Sequence, residues 1–321
     1  MKRLLLVLLV LAGCKVKNPK PFKSAMALAG RNIPASVLNY GREQYTEYCA
    51  ACHGPHGDGR GPASKWLRPP PRDFRSATFK FAKVLEGLPN DDDLARIVHE
   101  GLAGTAMLPW ELPDKSLHAI LQYIKTFSPD GTGYRDPDAW PGKPIEPPPD
   151  PWTDKTAAAS RGREVYHAYQ CWSCHPAYAP EAEIAAAFHA IRKADPPPLR
   201  PNVTRSELKT SDEYSAPLPT DVACETDDEC DEPELEKCAF GRCELKLRIK
   251  PPDFLMDPVR SGDSAVEIYR TLRGGIPGSG MPEWNIDPKD MWAVAWYVHS
   301  LAEVRGTPTA IALRRRLTGG R

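Results

Sequence analysis

Two stretches of the chain carry apolar residues at helical spacing and close comparable segments. They are "DKSLHAILQYIKTF" at 114–127, with Leu117, Ile120, Leu121 and Ile124 on one face, and "PKDMWAVAWYVHSL" at 288–301. That spacing predicts packed amphipathic helices, and each follows a proline and an acidic residue, as helix starts often do. Two more helices are predicted at "SVLNYGREQYTEY" and "SRGREVYHAYQ". Between the two pairs, residues 128–152 hold proline and glycine at a density that excludes long regular elements and predicts a stiff linker. The opening "MKRLLLVLLVLAGC" has basic Lys2 and Arg3, an apolar run too short to span a bilayer, and small residues before Cys14. It reads as an export signal.

Composition sharpens this picture at three points. Lysine plus arginine and aspartate plus glutamate both total 42, so no global field draws nucleic acid, and no nucleic-acid partner is expected. Thirty-five prolines in 321 residues confine helices to islands. Nine cysteines in an exported chain require an accounting. Cys14 stands alone, Cys49 with Cys52 and Cys171 with Cys174 form two close pairs, and Cys224, Cys230, Cys238 and Cys243 remain, an even set that predicts two disulfides of open pairing.

The chain is written twice. "GREQYTEYCAACH" from Gly41 and "GREVYHAYQCWSCH" from Gly162 share Gly-Arg-Glu-x-Tyr, the second with one extra residue before its cysteines. "PPPRDF" ending at Phe74 is answered by "KPPDF" ending at Phe254, and "GTAMLPW" around Met107 by "GSGMPEW" around Met281. His53 and Phe74 are 21 positions apart and His175 and Phe254 are 79, so about 58 extra residues lie in the second repeat. They hold the four remaining cysteines and the acidic run "CETDDECDEPELEKC", and they predict a disulfide-stapled insert too poor in apolar residues to fold by burial alone.

A Cys-x-x-Cys-His run matches c-type haem attachment: two thioethers fix the porphyrin and the next imidazole reaches its iron. Zinc would want two further ligands nearby, and a dithiol redox pair has no use for the histidine. The iron's sixth position decides between electron transfer and ligand chemistry. Met107 and Met281, at matching places, are the candidates. His99, His118, His189 and His299 are alternatives in principle, and Met256 is read as packing. Trp110 and Trp284 are placed beside the haem pockets, and Arg68, Arg72 and Arg75 are candidates for pairing with haem propionates, although exposed arginines near a proline loop are more often just solvated.

These residues resemble the class I cytochrome c family, along nearly the whole first repeat and at matching positions of the second. The resemblance implies an all-α fold of two class I cytochrome c domains in tandem, the second with a disulfide-stapled insertion. It implies two covalently bound haem c groups, with thioethers at Cys49, Cys52, Cys171 and Cys174. The axial ligands carry over to His53 with Met107 and His175 with Met281. "LAGC" resembles the lipobox of bacterial lipoproteins, which implies acylation of Cys14; a spare cysteine after an ordinary signal peptide is the alternative. The expected plan is signal peptide 1–13, tether 14–33, first domain 34–128, linker 129–155, second domain 156–305 with its insert at about 195–249, and basic tail 306–321.

The expected function is a dihaem carrier moving single electrons from a membrane or periplasmic donor to a terminal oxidase or reductase. Its partners would be redox proteins or a respiratory complex, with the membrane reached through Cys14 and the chain facing the periplasm of a bacterial cell envelope. The alternative is a haem enzyme such as a dihaem peroxidase or a sulfur-compound oxidase, which would need an open iron position. The acidic insert is open to three readings: docking patch, calcium site or solvated loop.

Overall fold

A computed structural model describes residues 19–317, apart from 208, 212–218, 232–235, 240 and 246. The segment read as a signal peptide, 1–13, together with Cys14 and the last four residues of the tail, lies outside the described residues. The first repeat comprises the antiparallel pair β1 (Met26–Leu28) and β2 (Arg31–Ile33), α1 (Ala35–Tyr48), the one-turn α2 (Ala50–His53), β3 (Val84–Leu85), α3 (Asp91–Glu100) and α4 (Asp114–Lys125). After β4 (Lys143–Pro144), the second repeat begins with α5 (Lys155–Ala168) and α6 (Glu181–Arg192). Strands β5 (Lys209–Ser211), β6 (Pro219–Ala223), β7 (Glu236–Ala239), β8 (Arg242–Leu245) and β9 (Leu247–Ile249) follow, then α7 (Ala265–Gly274), α8 (Pro288–Glu303) and α9 (Pro308–Leu317).

In each repeat the first helix crosses the helix that closes it, α1 on α4 and α5 on α8, at a glycine. A Cβ on Gly41 would lie 2.0 Å from the carbonyl oxygen of Ala119, and one on Gly162 would lie 1.9 Å from that of Ala293. Backbone rides on backbone at both crossings, which only glycine permits. One turn later, Tyr45 meets Tyr123 edge-on at 5.3 Å and Tyr166 meets Tyr297 at 5.5 Å. Leu117, Ile120, Leu121 and Ile124 are all buried, as their spacing predicts.

The all-α expectation is too narrow. Short sheets occur as well, most clearly in the insert, where β8 lies between β6 and β7. That sheet is stapled by Cys224–Cys238 and Cys230–Cys243, which settles the pairing that the sequence left open. Its small core consists mainly of these cysteines, as expected of a segment that cannot bury enough carbon to hold itself together.

Other segments are more firmly held than their composition suggests. Within the stretch read as a tether, Leu28 is buried and Ala29 N–H donates to the carbonyl of Tyr134 at 2.7 Å. Tyr134 lies in the proline-rich connection, is itself buried, and gives its hydroxyl to Pro89 O. Further along, Ile145 N–H donates to Lys83 O, while the carbonyls of Ile145 and Pro148 accept from Arg270 and Trp292 of the second repeat. Lys83 pairs with Glu267 and donates to Ser261 O, adding a buried tie between the repeats.

Candidate functional site

Each Cys-x-x-Cys-His run forms one tight turn at the end of the repeat's first helix. His53 N–H donates to Cys49 O and His175 N–H to Cys171 O, both at 2.9 Å. The extra residue of the second copy is taken up by Gln170, which sits at φ 58, a left-handed conformation uncommon outside glycine. The following turn therefore keeps its shape.

The histidines are held alike. His53 Nδ1–H donates to the carbonyl of Arg72 at 3.1 Å, and His175 Nδ1–H to that of Pro252 at 3.0 Å. A carbonyl can only accept, so the proton sits on Nδ1 and Nε2 keeps its lone pair, the arrangement that prepares a histidine to ligate metal. Both acceptors lie two residues before a phenylalanine that stacks on the imidazole, Phe74 on His53 at 4.4 Å and Phe254 on His175 at 4.8 Å. The repeated Pro-Pro-x-Asp-Phe or Pro-Pro-Asp-Phe element thus supplies both an acceptor and a stacking plane. Burial lowers each imidazole to about 4, so both are neutral near pH 7.

The methionine loops are also copies. Leu102 N–H donates to Met107 O at 2.8 Å and Ile276 N–H to Met281 O at 3.0 Å. Met107 N–H donates to Thr105 Oγ1, and Met281 N–H to Ser279 Oγ. The chain enters each loop through a glycine with positive φ, Gly101 at 65° and Gly275 at 62°, whose Cβ would lie within 3 Å of the loop backbone. Trp110 and Trp284 then tie back to the preceding helix through Val98 O and Leu272 O.

In the second repeat, Cys171, Cys174, His175 and Met281 line one cavity of about 350 Å³, within the size range of cofactor pockets. Trp284 is on its wall, and its indole Nε1 is buried without a hydrogen-bond partner among the described residues. A buried donor of this kind suits an anionic oxygen such as a haem propionate. Lys80, Phe81 and Gly104 of the first repeat complete part of the wall. These donors and dimensions fit a haem.

The competing chemistries fit less well. Burial pushes Cys49 and Cys171 up to about 12, with the neighbouring cysteine adding in each pair, away from the low values of reactive dithiols. Among the described residues, the sole gathering of three metal-type side chains is Cys224, Cys230 and Cys243, which are disulfide-bonded, so no tetrahedral zinc set surrounds either motif. The alternative axial histidines are engaged or displaced: His99 bonds Trp110 O, His299 bonds Asp263 O, and His118 and His189 are exposed. Of the arginines read near propionates, Arg68 is exposed and bonds Leu67 O, Arg75 pairs with Asp73, and Arg72 reaches toward Gly278 of the second methionine loop. Met256 is 51% exposed, not packed.

Three contributors were not legible as such. Arg200, an apparent loop arginine after a proline run, donates to the carbonyls of Trp172 and His175 at 2.7 and 2.9 Å. His167 is fully buried, and neither ring nitrogen has a hydrogen-bond partner among the described residues. Arg314 of α9 pairs with buried Asp253, next to the acceptor of His175. Only the run "RRR" marked Arg314, and its composition suggested solvent.

Among the described residues, no helix is long and apolar enough to cross a membrane. Residues 37–124 match the family described as cytochrome c oxidase, cbb3-type, subunit III. No curated protein matches the chain. Among solved structures, a chain of the Kuenenia stuttgartiensis reducing HAO-like protein complex is similar, with a TM-score of 0.54 and 23% identity over 82% of this chain and 95% of that one. At that identity the likeness concerns the fold. The matched span contains Cys49, Cys52, His53 and Met107, so residues 37–124 are similar to a cytochrome c domain, and such a domain implies covalently bound haem c.

Proposed function

We propose that the chain is a dihaem c-type cytochrome that carries single electrons, with one haem on each Cys-x-x-Cys-His turn. The observation that carries this reading is the duplicated support of the two histidines. Each gives Nδ1–H to a carbonyl two residues before a stacked phenylalanine, and each belongs to a repeat with the same methionine loop. Residues outside 37–124 gain support from the fold likeness, because an alignment over 82% of the chain reaches into both repeats.

Haem would supply a reversible one-electron iron couple. The protein's part is attachment, orientation and exclusion of water. Cys49 and Cys52 with His53 and Met107 would hold one group, and Cys171 and Cys174 with His175 and Met281 the other. A thioether in the sixth position favours the reduced iron and closes the position to small ligands, which supports a carrier over an enzyme. Because Lys80, Phe81 and Gly104 of the first repeat line the second cavity, the two centres would be neighbours, as a two-step wire requires. Lipid attachment at Cys14, a periplasmic location, and a redox protein or respiratory complex as partner rest on the sequence reading.

The test is an absorption spectrum of the purified protein, oxidised and reduced, with and without carbon monoxide. Two low-spin haems that ignore the gas are expected. A haem that binds it readily in the native state would move the assignment to an enzyme.

A further inference from the structure

The cysteine-rich insert belongs to the second repeat in sequence but reaches the first in space. Glu244, on β8, is fully buried, and its Oε1 accepts from Arg60 Nη2 at 2.9 Å with Arg75 Nη2 at 3.8 Å. These arginines sit on the two segments that frame His53. Arg60 lies between Gly59, whose N–H donates to His53 O, and Gly61, whose N–H donates to Cys52 O. Arg75 follows Phe74, which stacks on the imidazole, and is clamped to Asp73, which follows the acceptor residue Arg72. One carboxylate from 184 positions away therefore fastens both segments together. Its strand is held by the adjacent Cys230–Cys243 disulfide.

We propose that Glu244 is a proton-linked positioning residue for the first centre: it braces the two segments around His53 and takes up a proton when that centre takes up an electron. This rests on the proposed haem-bearing function. The electron comes from a one-electron protein donor and the proton from solvent. An O–H bond forms on the carboxylate, the iron is reduced by one electron, and no other bond in the protein breaks.

The charges around the carboxylate suit such a role. Burial raises the Glu244 carboxyl to about 7, Asp73 pushes the same way, and Arg60, Arg75 and Lys237, the last opposite it on β7, pull it down. Asp58 adds a further negative charge near Arg75. Its second oxygen, Oε2, is buried with no hydrogen-bond partner among the described residues, so it offers a place for the proton. An added electron on an iron held by His53 would favour the neutral acid by ordinary Coulomb repulsion.

The experiment is a spectroelectrochemical titration of the full haem-loaded chain from acid to alkaline pH, with the first centre identified as the one whose potential moves in Met107→Ala. In the native protein, the first centre's reduction equilibrium is expected to weaken as pH rises through about 7, by up to tenfold per pH unit, or 59 mV, at full coupling. Glu244→Gln should flatten this slope at the first centre and leave the second centre's curve unchanged, and Glu244→Asp should restore part of it. Isotope-edited infrared difference spectra should gain a protonated-carboxyl band on reduction that Glu244→Gln lacks. A slope that survives in Glu244→Gln, or one that falls equally at both centres, overturns the proposal and leaves the haem assignment standing. A colourless protein overturns both.

Discussion

Behind His53 the chain turns through glycines, whereas behind His175 it brings in an arginine from 25 positions away. Gly59 and Gly61 supply backbone N–H groups to His53 O and Cys52 O in the first repeat. In the second, "HPAYAP" replaces "HGPHGDG", and the carbonyl of His175 is met by the Arg200 guanidinium while that of Cys174 is met by the Glu207 amide. The same turn is thus supported locally in one copy and by inserted sequence in the other. A repeat can evidently accept a large insertion when the insertion takes over the hydrogen bonds it displaces. The insertion also changes what is buried: α6 packs on α5 and covers His167, whose counterpart Thr46 is exposed on α1.

The largest effects should come from removing the cysteines that distinguish one attachment from the other. Replacing Cys49 and Cys52 by serine should remove one haem and leave the other, and replacing Cys171 and Cys174 should do the converse, as read by intact mass under denaturing conditions. Next, Gly41→Ala and Gly162→Ala should each lose about 3 kcal/mol of stability, because the new Cβ has no room against a carbonyl. Denaturant unfolding would measure this, and equal losses would support equivalent crossings.

Acid should then separate the repeats. Burial lowers His167 from 6.5 to about 4, so the folded state prefers the neutral ring. Its contribution is complete above 6.5 and is lost as pH falls toward 4, at most on the order of 3 kcal/mol. His167→Phe should remove that part of the acid dependence, followed by thermal unfolding across this range. The smallest effect is expected from Arg200→Ala, which deletes two bonds to motif carbonyls and should cost roughly 1–3 kcal/mol. It should shift the second centre's potential and leave the first unmoved, as read by redox titration.

The helix pairs and the duplicated motifs were legible because they rest on local pattern: helical spacing at Leu117 through Ile124, and Cys-x-x-Cys-His with a matching methionine downstream. The shared Gly-Arg-Glu-x-Tyr also signalled the crossing, although nothing in it tells that Gly41 and Gly162 meet carbonyls. Illegible were contacts made over long sequence distances. Glu244 is one glutamate in a charged insert, and only the folded chain brings it to Arg60. Trp284 is one tryptophan among several until its indole nitrogen is found buried without a partner among the described residues. The packing of the stretches read as tether and linker was illegible for a related reason, since proline and glycine content reports on local conformation and says little about burial of an isolated Leu28, Tyr134 or Ile145.

The most direct measurement is the intact mass of the unfolded, mature protein compared with its optical spectrum. The account predicts a mass increase of two haem groups that denaturation cannot remove, carried by the two cysteine pairs. A chain bearing a single haem, or none, would contradict it.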